Sequence, residues 1–98
     1  MPVRWTRLAQ RHLREIVAYV ARNSPKAAVA LAERIRRVAA RIEDQPLAGQ
    51  IVPEIGEPVI RERVAPPYRI LYSVARAEPK ILAIYHRRRL LPVEEIEE

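Results

Sequence analysis

Three stretches between residues 59 and 85 carry the side-chain spacing of β-strands. From residue 68 to residue 74, Tyr68, Ile70, Tyr72 and Val74 alternate with Arg69, Leu71 and Ser73, which is the period of two expected of a strand with unlike faces. Ile81 to Tyr85 is apolar throughout, as in a strand buried on both faces. Val59 to Val64 is mixed: Arg61 and Arg63 share one face, and Ile60, Glu62 and Val64 share the other. We predict three strands here.

Two helices are predicted before these strands. Thr6 is placed to cap a helix that begins directly after it, and apolar residues then recur at three- and four-residue steps. Asn23-Ser24-Pro25 ends this helix and starts another, with Ser24 as cap and Pro25 at the first helical position. The predicted apolar stripes are Ala9, Leu13, Ile16, Val17 and Val20, then Ala28, Leu31, Ile35, Val38, Ala39 and Ile42. A core face is the commoner use of such a stripe, and a dimer seam is the alternative.

The remaining segments complete an α+β fold. Pro2 to Trp5 is predicted to be a first strand. Pro66-Pro67 cannot form the tight primed turn of a hairpin, so we expect a looser loop there. The order is therefore one strand, an antiparallel two-helix hairpin and a three-stranded antiparallel sheet. The helices should cover one face of this sheet and leave the other free to bind a partner.

Composition limits the classes of function. The 98 residues, 49% of them apolar, fit one domain, which we predict to span residues 1–93 and to be followed by an acidic tail, residues 94–98. The chain has no cysteine and only two histidines, far apart in sequence, so we predict neither a cofactor nor a metal site. It carries no run of apolar residues long enough to span a membrane, and we expect a cytoplasmic protein.

The charge indicates an acidic partner. The formal net charge is +6, and four of the twelve acidic residues lie in the last five positions, which leaves 18 basic residues against 8 acidic ones elsewhere. Lysine occurs only at Lys26 and Lys80, so arginine supplies nearly all of the positive charge. Arginine favours bidentate contacts to phosphates and carboxylates, as in nucleic acid or an acidic protein segment. The alternative is that the arginine content reflects a GC-rich genome and only keeps the domain soluble.

Local motifs along the chain give a resemblance to a known family. They are Trp5-Thr6, Asn23-Ser24-Pro25-Lys26-Ala27-Ala28, Pro46-Leu47-Ala48-Gly49, Arg61-Glu62, Tyr68-Arg69-Ile70-Leu71-Tyr72, and Ile81 to Tyr85 with His86-Arg87. In this order they resemble the RelE/ParE superfamily of type II toxins, and the ParE branch, that of plasmid stabilisation proteins, more closely. Two positions depart from the family: His12 stands where an aspartate is frequent, and Gln50 where an arginine follows the glycine.

The resemblance implies a toxin paired with an antitoxin. Such antitoxins usually carry a DNA-binding domain and wrap a segment over the toxin, and an acidic segment would suit this arginine-rich chain. Toxin and antitoxin would then form a hetero-oligomer. The ParE type poisons DNA gyrase without cutting RNA, whereas the RelE type is an endoribonuclease that cuts mRNA on the ribosome.

The matching positions favour binding over cleavage. Arg69 and Arg87 match arginines that contact phosphate in RelE-type enzymes. Their paired lysines fall here at Ile60 and Glu62, and their C-terminal tyrosine near Val93, so the base and the acid of cleavage are missing. We therefore predict a non-enzymatic gyrase poison. The residues predicted to bind antitoxin or target are Arg61, Arg63, Arg69, Arg87, Arg88 and Arg89.

Other interpretations of these residues remain open. A ribosome-dependent endoribonuclease would use Arg69, Arg87 and His86, with His86 or Tyr85 replacing the missing base. A third class is a non-toxic module that binds nucleic acid. The structural interpretation of the same residues is that Arg69 packs its stem on Tyr85 or Tyr19 and pairs with Glu62, and that His86 makes a local hydrogen bond at the end of its strand.

Overall fold

The computed structural model describes residues 3–97 as two helices packed on a five-stranded sheet. The elements are β1 (Arg4–Trp5), α1 (Arg7–Ala21), α2 (Pro25–Asp44), β2 (Gln50–Ile51), β3 (Ile60–Ala65), β4 (Tyr68–Ser73) and β5 (Lys80–His86), with short 3₁₀ turns at Pro46–Ala48 and Val93–Glu95. The strand order is β1-β5-β4-β3-β2; β1 runs parallel to β5, and the other pairs are antiparallel. The α+β prediction is confirmed. The two-residue strand β2 was not predicted, and Pro2 of the predicted first strand lies outside the described residues.

Both helices begin where the sequence predicts. The Thr6 hydroxyl accepts a hydrogen bond from the Ala9 N–H at 3.0 Å, and the Ser24 hydroxyl accepts one from the Ala27 N–H at 3.1 Å. These bonds satisfy N–H groups that have no partner within the first helical turn. Helix α2 ends at Asp44 because Gln45 precedes a proline and leaves helical geometry, with φ −136° and ψ 71°.

The helices bury their predicted apolar stripes against one face of the sheet. All six predicted positions of α2 are buried, whereas α1 buries Ala9 completely and its other stripe positions only partly. On the sheet, Ile70, Tyr72, Ile81 and Ile84 complete this cluster. Each fully buried side chain of this size contributes about 1.5–3 kcal/mol through removal of apolar surface from water. The stripe of α2 is therefore a core face, as expected.

Helix α1 also covers the outer edge of β5. Strand β1 pairs with β5 only at Lys80 and Ile81, so the rest of that edge needs other partners. The Thr6 hydroxyl donates to the Leu82 carbonyl at 2.8 Å, and the Ile84 N–H donates to Nδ1 of His12 at 3.1 Å. His12, only 7% exposed, thus acts as a side-chain partner for a buried backbone group. The apolar periodicity did not reveal this role.

The connection between β3 and β4 is shorter than predicted. Ala65 pairs directly with Tyr68, so Pro66 and Pro67 alone form the turn, and the peptide bond between them is cis. A looser loop was expected because two prolines are incompatible with the primed turns, but these two residues alone join the paired strands. The loop prediction is therefore wrong.

The second face of the sheet is not free. Leu71, Leu82, Ala83 and Tyr85 are buried there, and apolar residues from outside the sheet pack on them. These covering residues are Leu8, Val52, Ile55, Val59, Leu91 and Ile96. The prediction of an open face is wrong because a strand that is apolar on both sides needs a cover on both sides. Ile96 also shows that the predicted acidic tail packs against the domain, although Glu98 lies outside the described residues.

Replacing His12 by alanine should lower the free energy of unfolding by about 1–3 kcal/mol at pH 7.5, because the buried Ile84 N–H loses its acceptor. His86→Ala, at a partly exposed strand end, should cost less. Urea unfolding of both variants measures the difference. An equal effect of the two substitutions would contradict the role of His12.

The same residue predicts a pH dependence. Burial lowers the pKa of His12 below its ordinary value of 6.5, an effect that the charge of Glu95 opposes. The unfolded chain then binds this proton more readily than the folded chain, so stability is full above pH 6.5 and falls as the pH drops below it. Urea unfolding at pH 7.5 and 5.5 should show a smaller loss in His12→Ala than in the unmodified chain.

Candidate partner-binding site

Arg69 lies at the centre of a groove on the second face of the sheet. Its guanidinium donates to both oxygens of Glu62 on the neighbouring strand β3 and to both oxygens of Glu54 in the loop after β2. The two bonds to Glu54 measure 2.7 and 2.9 Å. We call the surface around this cluster the Arg69 groove. Its lining residues are Gln50, Pro53, Glu54, Glu62, Val64, Arg69 and Arg87.

The two carboxylates of the groove differ in their environment. Glu62 is buried, at 3% exposure, whereas the side chain of Glu54 is 39% exposed. Hydrogen bonds from Arg69 lower the pKa of Glu54 to about 2, and those from Glu54 and then Glu62 raise the pKa of Arg69. The predicted pairing of Arg69 with Glu62 is present. Glu54, the second partner, was not predicted because it lies in an irregular loop.

Arg61 and Arg63 lie on the opposite face of β3 from Glu62, as the alternation predicted. Arg61 donates to the carbonyls of Pro58, Leu47 and Gly49, so its guanidinium holds the turn before β2 against the start of β3. Arg63 is half-buried. Both were predicted to bind a partner, and the structure places Arg61 in the framework of the domain.

Gly49 fixes the approach of this turn to the sheet. Its N–H donates to the Tyr72 hydroxyl at 3.0 Å, and that hydroxyl donates to the Pro46 carbonyl at 2.7 Å. A Cβ atom at position 49 would lie 2.1 Å from the Tyr72 oxygen and 2.7 Å from the Glu62 carbonyl. Only glycine allows this contact, which brings β2 and the following loop, with Glu54, to the side of Arg69.

Arg87, Arg88 and Arg89 form an exposed turn after β5, which we call the arginine turn. The Arg89 N–H closes it on the His86 carbonyl at 2.9 Å, and the Arg87 N–H donates to the Pro67 carbonyl at 2.9 Å. All three side chains are exposed. Arg87 lines the Arg69 groove, whereas Arg89 lies over the ring of Tyr85 at 5.2 Å from its centroid. Of the six predicted binding arginines, these three are the accessible ones.

His86 is directed away from the Arg69 groove. Its Nδ1 accepts the Arg88 N–H at 3.1 Å, and its ring meets Tyr68 edge to face at 5.5 Å. It lines a separate cleft together with His12, Tyr85 and Arg89. The structure therefore brings Arg69 and Arg87 together but places the third residue of the nuclease alternative elsewhere. The local hydrogen bond of His86 agrees with its structural interpretation.

Metal ligands and membrane-spanning helices are the two remaining features of functional interest. Within residues 3–97, no three His, Asp or Glu side chains are grouped as ligands for a metal ion. Neither helix in the same range is both long and apolar enough to cross a bilayer.

Comparison with known proteins assigns the family. The family model of the ParE toxin of type II toxin–antitoxin systems, parDE, matches residues 3–91. The chain belongs to the ParE toxin family. A solved structure of the chromosomal ParDE toxin–antitoxin system from P. aeruginosa is similar, with a TM-score of 0.71 and 25% sequence identity over 88% of this chain and 95% of that one. A search of curated proteins found no match. The family resemblance noted in the sequence is thus confirmed.

In this ParE-family chain, Arg69 should be essential for folding. Arg69→Ala leaves Glu62 buried without its cation, and we expect a loss of about 3–5 kcal/mol in the free energy of unfolding. Glu54→Gln should cost no more than about 1 kcal/mol, because the side chain of Glu54 is 39% exposed to solvent. Urea unfolding at pH 7.5 measures both variants.

Glu62→Gln provides the control for this effect. Added to Arg69→Ala, it should recover part of the lost stability, since the buried group no longer carries a charge. A stable Arg69→Ala single variant would show that Glu62 finds another partner, and the framework role of Arg69 would be wrong.

Proposed function

We propose that this toxin acts by binding, as a poison of DNA gyrase, and that a cognate antitoxin neutralises it in the cytoplasm through an acidic C-terminal segment. Membership of the ParE family supports the class of target. The geometry of the Arg69 groove supports binding rather than cleavage.

The pairing of Arg69 with two carboxylates is the observation that carries this proposal. RNA cleavage through the 2′-hydroxyl needs free cations beside the phosphate and a base within reach of the hydroxyl proton. Here Glu54 and Glu62 already neutralise Arg69, and His86 lines a different cleft. The two carboxylates that line the groove, Glu54 and Glu62, both accept hydrogen bonds from Arg69, and the pKa of Glu54 is lowered to about 2, which makes it a weak base at neutral pH.

The same groove suits an acidic, amphipathic segment of the antitoxin. Arg87 offers an exposed cation at its edge, and Val64, 48% exposed, offers an apolar contact beside it. Glu54 occupies the accessible side of Arg69. A carboxylate of the antitoxin can replace Glu54 there while the buried pair of Arg69 and Glu62 stays intact. Glu54 then acts as a competitor within the toxin that weakens antitoxin binding.

Purified toxin should stabilise the cleaved complex of DNA gyrase with plasmid DNA or block supercoiling, and the antitoxin should reverse this effect. His86→Ala should poison gyrase as well as the unmodified toxin does, because His86 lies outside the groove. Gel analysis of plasmid topology measures both properties. A toxin without effect at high excess over gyrase would contradict the proposal.

A translation reaction with mapped mRNA ends tests the alternative function, that of a ribosome-dependent endoribonuclease. Cuts within ribosome-covered codons that disappear in His86→Ala would indicate the endoribonuclease. Binding to DNA with a steep salt dependence, without toxicity on expression, would indicate the nucleic-acid-binding module.

Substitutions in the groove should change antitoxin affinity in opposite directions. Glu54→Gln removes the competing carboxylate and should tighten binding of the isolated antitoxin segment several-fold. Arg87→Gln should weaken it about tenfold, since it removes a charge-assisted hydrogen bond. Glu57→Gln, an exposed change of equal charge in the same loop, is the matched control. Fluorescence anisotropy measures the affinities, and equal gains for Glu54→Gln and Glu57→Gln would indicate net charge alone.

A further inference from the structure

A second polar cluster lies where α1 meets the end of β5, outside the Arg69 groove. The Tyr85 hydroxyl donates to Oε1 of Glu95 at 2.7 Å, and Nε2 of His12 lies 3.9 Å from the same oxygen. The His12 and Tyr85 rings meet edge to face at 4.9 Å, and both residues are buried, at 7% and 1% exposure. Two buried aromatic side chains thus direct polar atoms at one carboxylate.

The hydrogen-bond donors of this cluster determine which chemical group it can bind. Nδ1 of His12 accepts the Ile84 N–H, so the hydrogen of the neutral ring is on Nε2, the atom that faces Glu95. Burial, followed by the hydrogen bond to Glu95, raises the pKa of Tyr85, so its hydroxyl remains a donor at physiological pH. Arg89 adds positive charge above the Tyr85 ring. Two neutral donors and a nearby cation suit a single carboxylate.

Glu95, the present occupant of the site, belongs to the segment of residues 91–96. Side-chain contacts attach this segment to the domain. The N–H groups of Val93, Glu95 and Ile96 donate to the carbonyls of Leu91, Pro92 and Val93, all within this segment. Leu91 and Ile96 pack on the apolar cluster of the second face, next to Tyr85. The segment can therefore detach without breaking these backbone bonds or any pairing of the sheet, which makes it a region of low local stability.

We propose that His12, Tyr85 and Arg89 form a carboxylate-binding site for a linear segment of a partner protein, in which Glu95 holds the place of the partner's acidic side chain. The packing of Ile96 identifies the adjoining apolar position. The partner segment would therefore present an acidic residue followed directly by a branched apolar one. This site is separate from the Arg69 groove and does not depend on the identity of the toxin's target.

A partner segment can displace residues 91–96 only if it makes contacts that these residues lack. A segment tethered next to its site has an effective concentration in the millimolar range, so an isolated carboxylate competes poorly. The surroundings offer additional contacts: Arg88 is an exposed cation, and Leu90 is 93% exposed. An acidic segment with apolar residues complements these features.

A peptide with the sequence of residues 90–97 serves as the probe for the full-length protein. Fluorescence anisotropy of the labelled peptide measures its affinity for the unmodified chain and for Glu95→Gln, which weakens the internal occupant. We expect about tenfold tighter binding to Glu95→Gln, in line with the loss of a charged hydrogen bond. Glu94→Gln changes the charge equally at an exposed neighbouring position and should bind like the unmodified chain.

Two variants show whether the carboxylate uses the proposed donors. Adding Tyr85→Phe to Glu95→Gln removes one oxygen atom and should abolish the tenfold gain, and so should a glutamine at position 95 of the peptide. Affinities of the unmodified chain and Glu95→Gln within twofold of each other, or a gain that persists with Tyr85→Phe, would overturn the proposal. Circular dichroism accompanies each measurement. A Glu95→Gln chain that does not fold would overturn it too, because Glu95 would then be a fixed part of the core.

Discussion

Burial of β5 on both faces and along its outer edge is the constraint on which this domain depends. Such a strand needs a cover on each side and a partner for each backbone polar group. The helices provide one cover, and the loop after β2 provides the other together with residues 91–96. Thr6 and His12 hydrogen-bond to the backbone of β5 along the part of its edge that β1 does not reach. Each of these features follows from the apolar run of Ile81 to Tyr85.

The arginines of the sheet differ from those of the turn that follows β5. On the sheet, Arg69 is held by two carboxylates of the domain and Arg61 by three of its carbonyls. Where the chain leaves the sheet, the arginine turn is accessible. The positive charges of Arg61 and Arg69 are thus already engaged within the domain. In the proposed function, recognition depends on the exposed cations of this turn and on the exchange of carboxylates around Arg69.

The sequence was informative wherever a local rule applied. Hydroxyl caps, the proline at the first position of α2 and the apolar periodicity predicted both helices and three strands, because these signals act within a few residues. The two-residue strand β2 was missed because it is too short to show alternation. The prediction that the second face of the sheet is free was wrong, since the apolar run of β5 already indicated burial on both sides.

The candidate site was less predictable than the fold. Arg69 and its partner Glu62 lie on adjacent strands, and the strand pattern suggested their pairing. Glu54 lies in an irregular loop, and Glu95 lies in the stretch predicted to be an acidic tail outside the domain, so neither contact had a local signal. Tertiary packing alone brings these carboxylates to Arg69 and Tyr85.

The hydroxyl of Thr6 links the beginning of the domain to its last strand. It caps α1 and also bonds to Leu82, 76 positions later, and β1 beside it pairs only with β5. During synthesis, the helical hairpin leaves the ribosome first, while the edge of β4 stays unpaired until residue 86 has followed. The nascent toxin thus exposes the edge of β4, and Thr6 lacks its Leu82 partner, until β5 has been made.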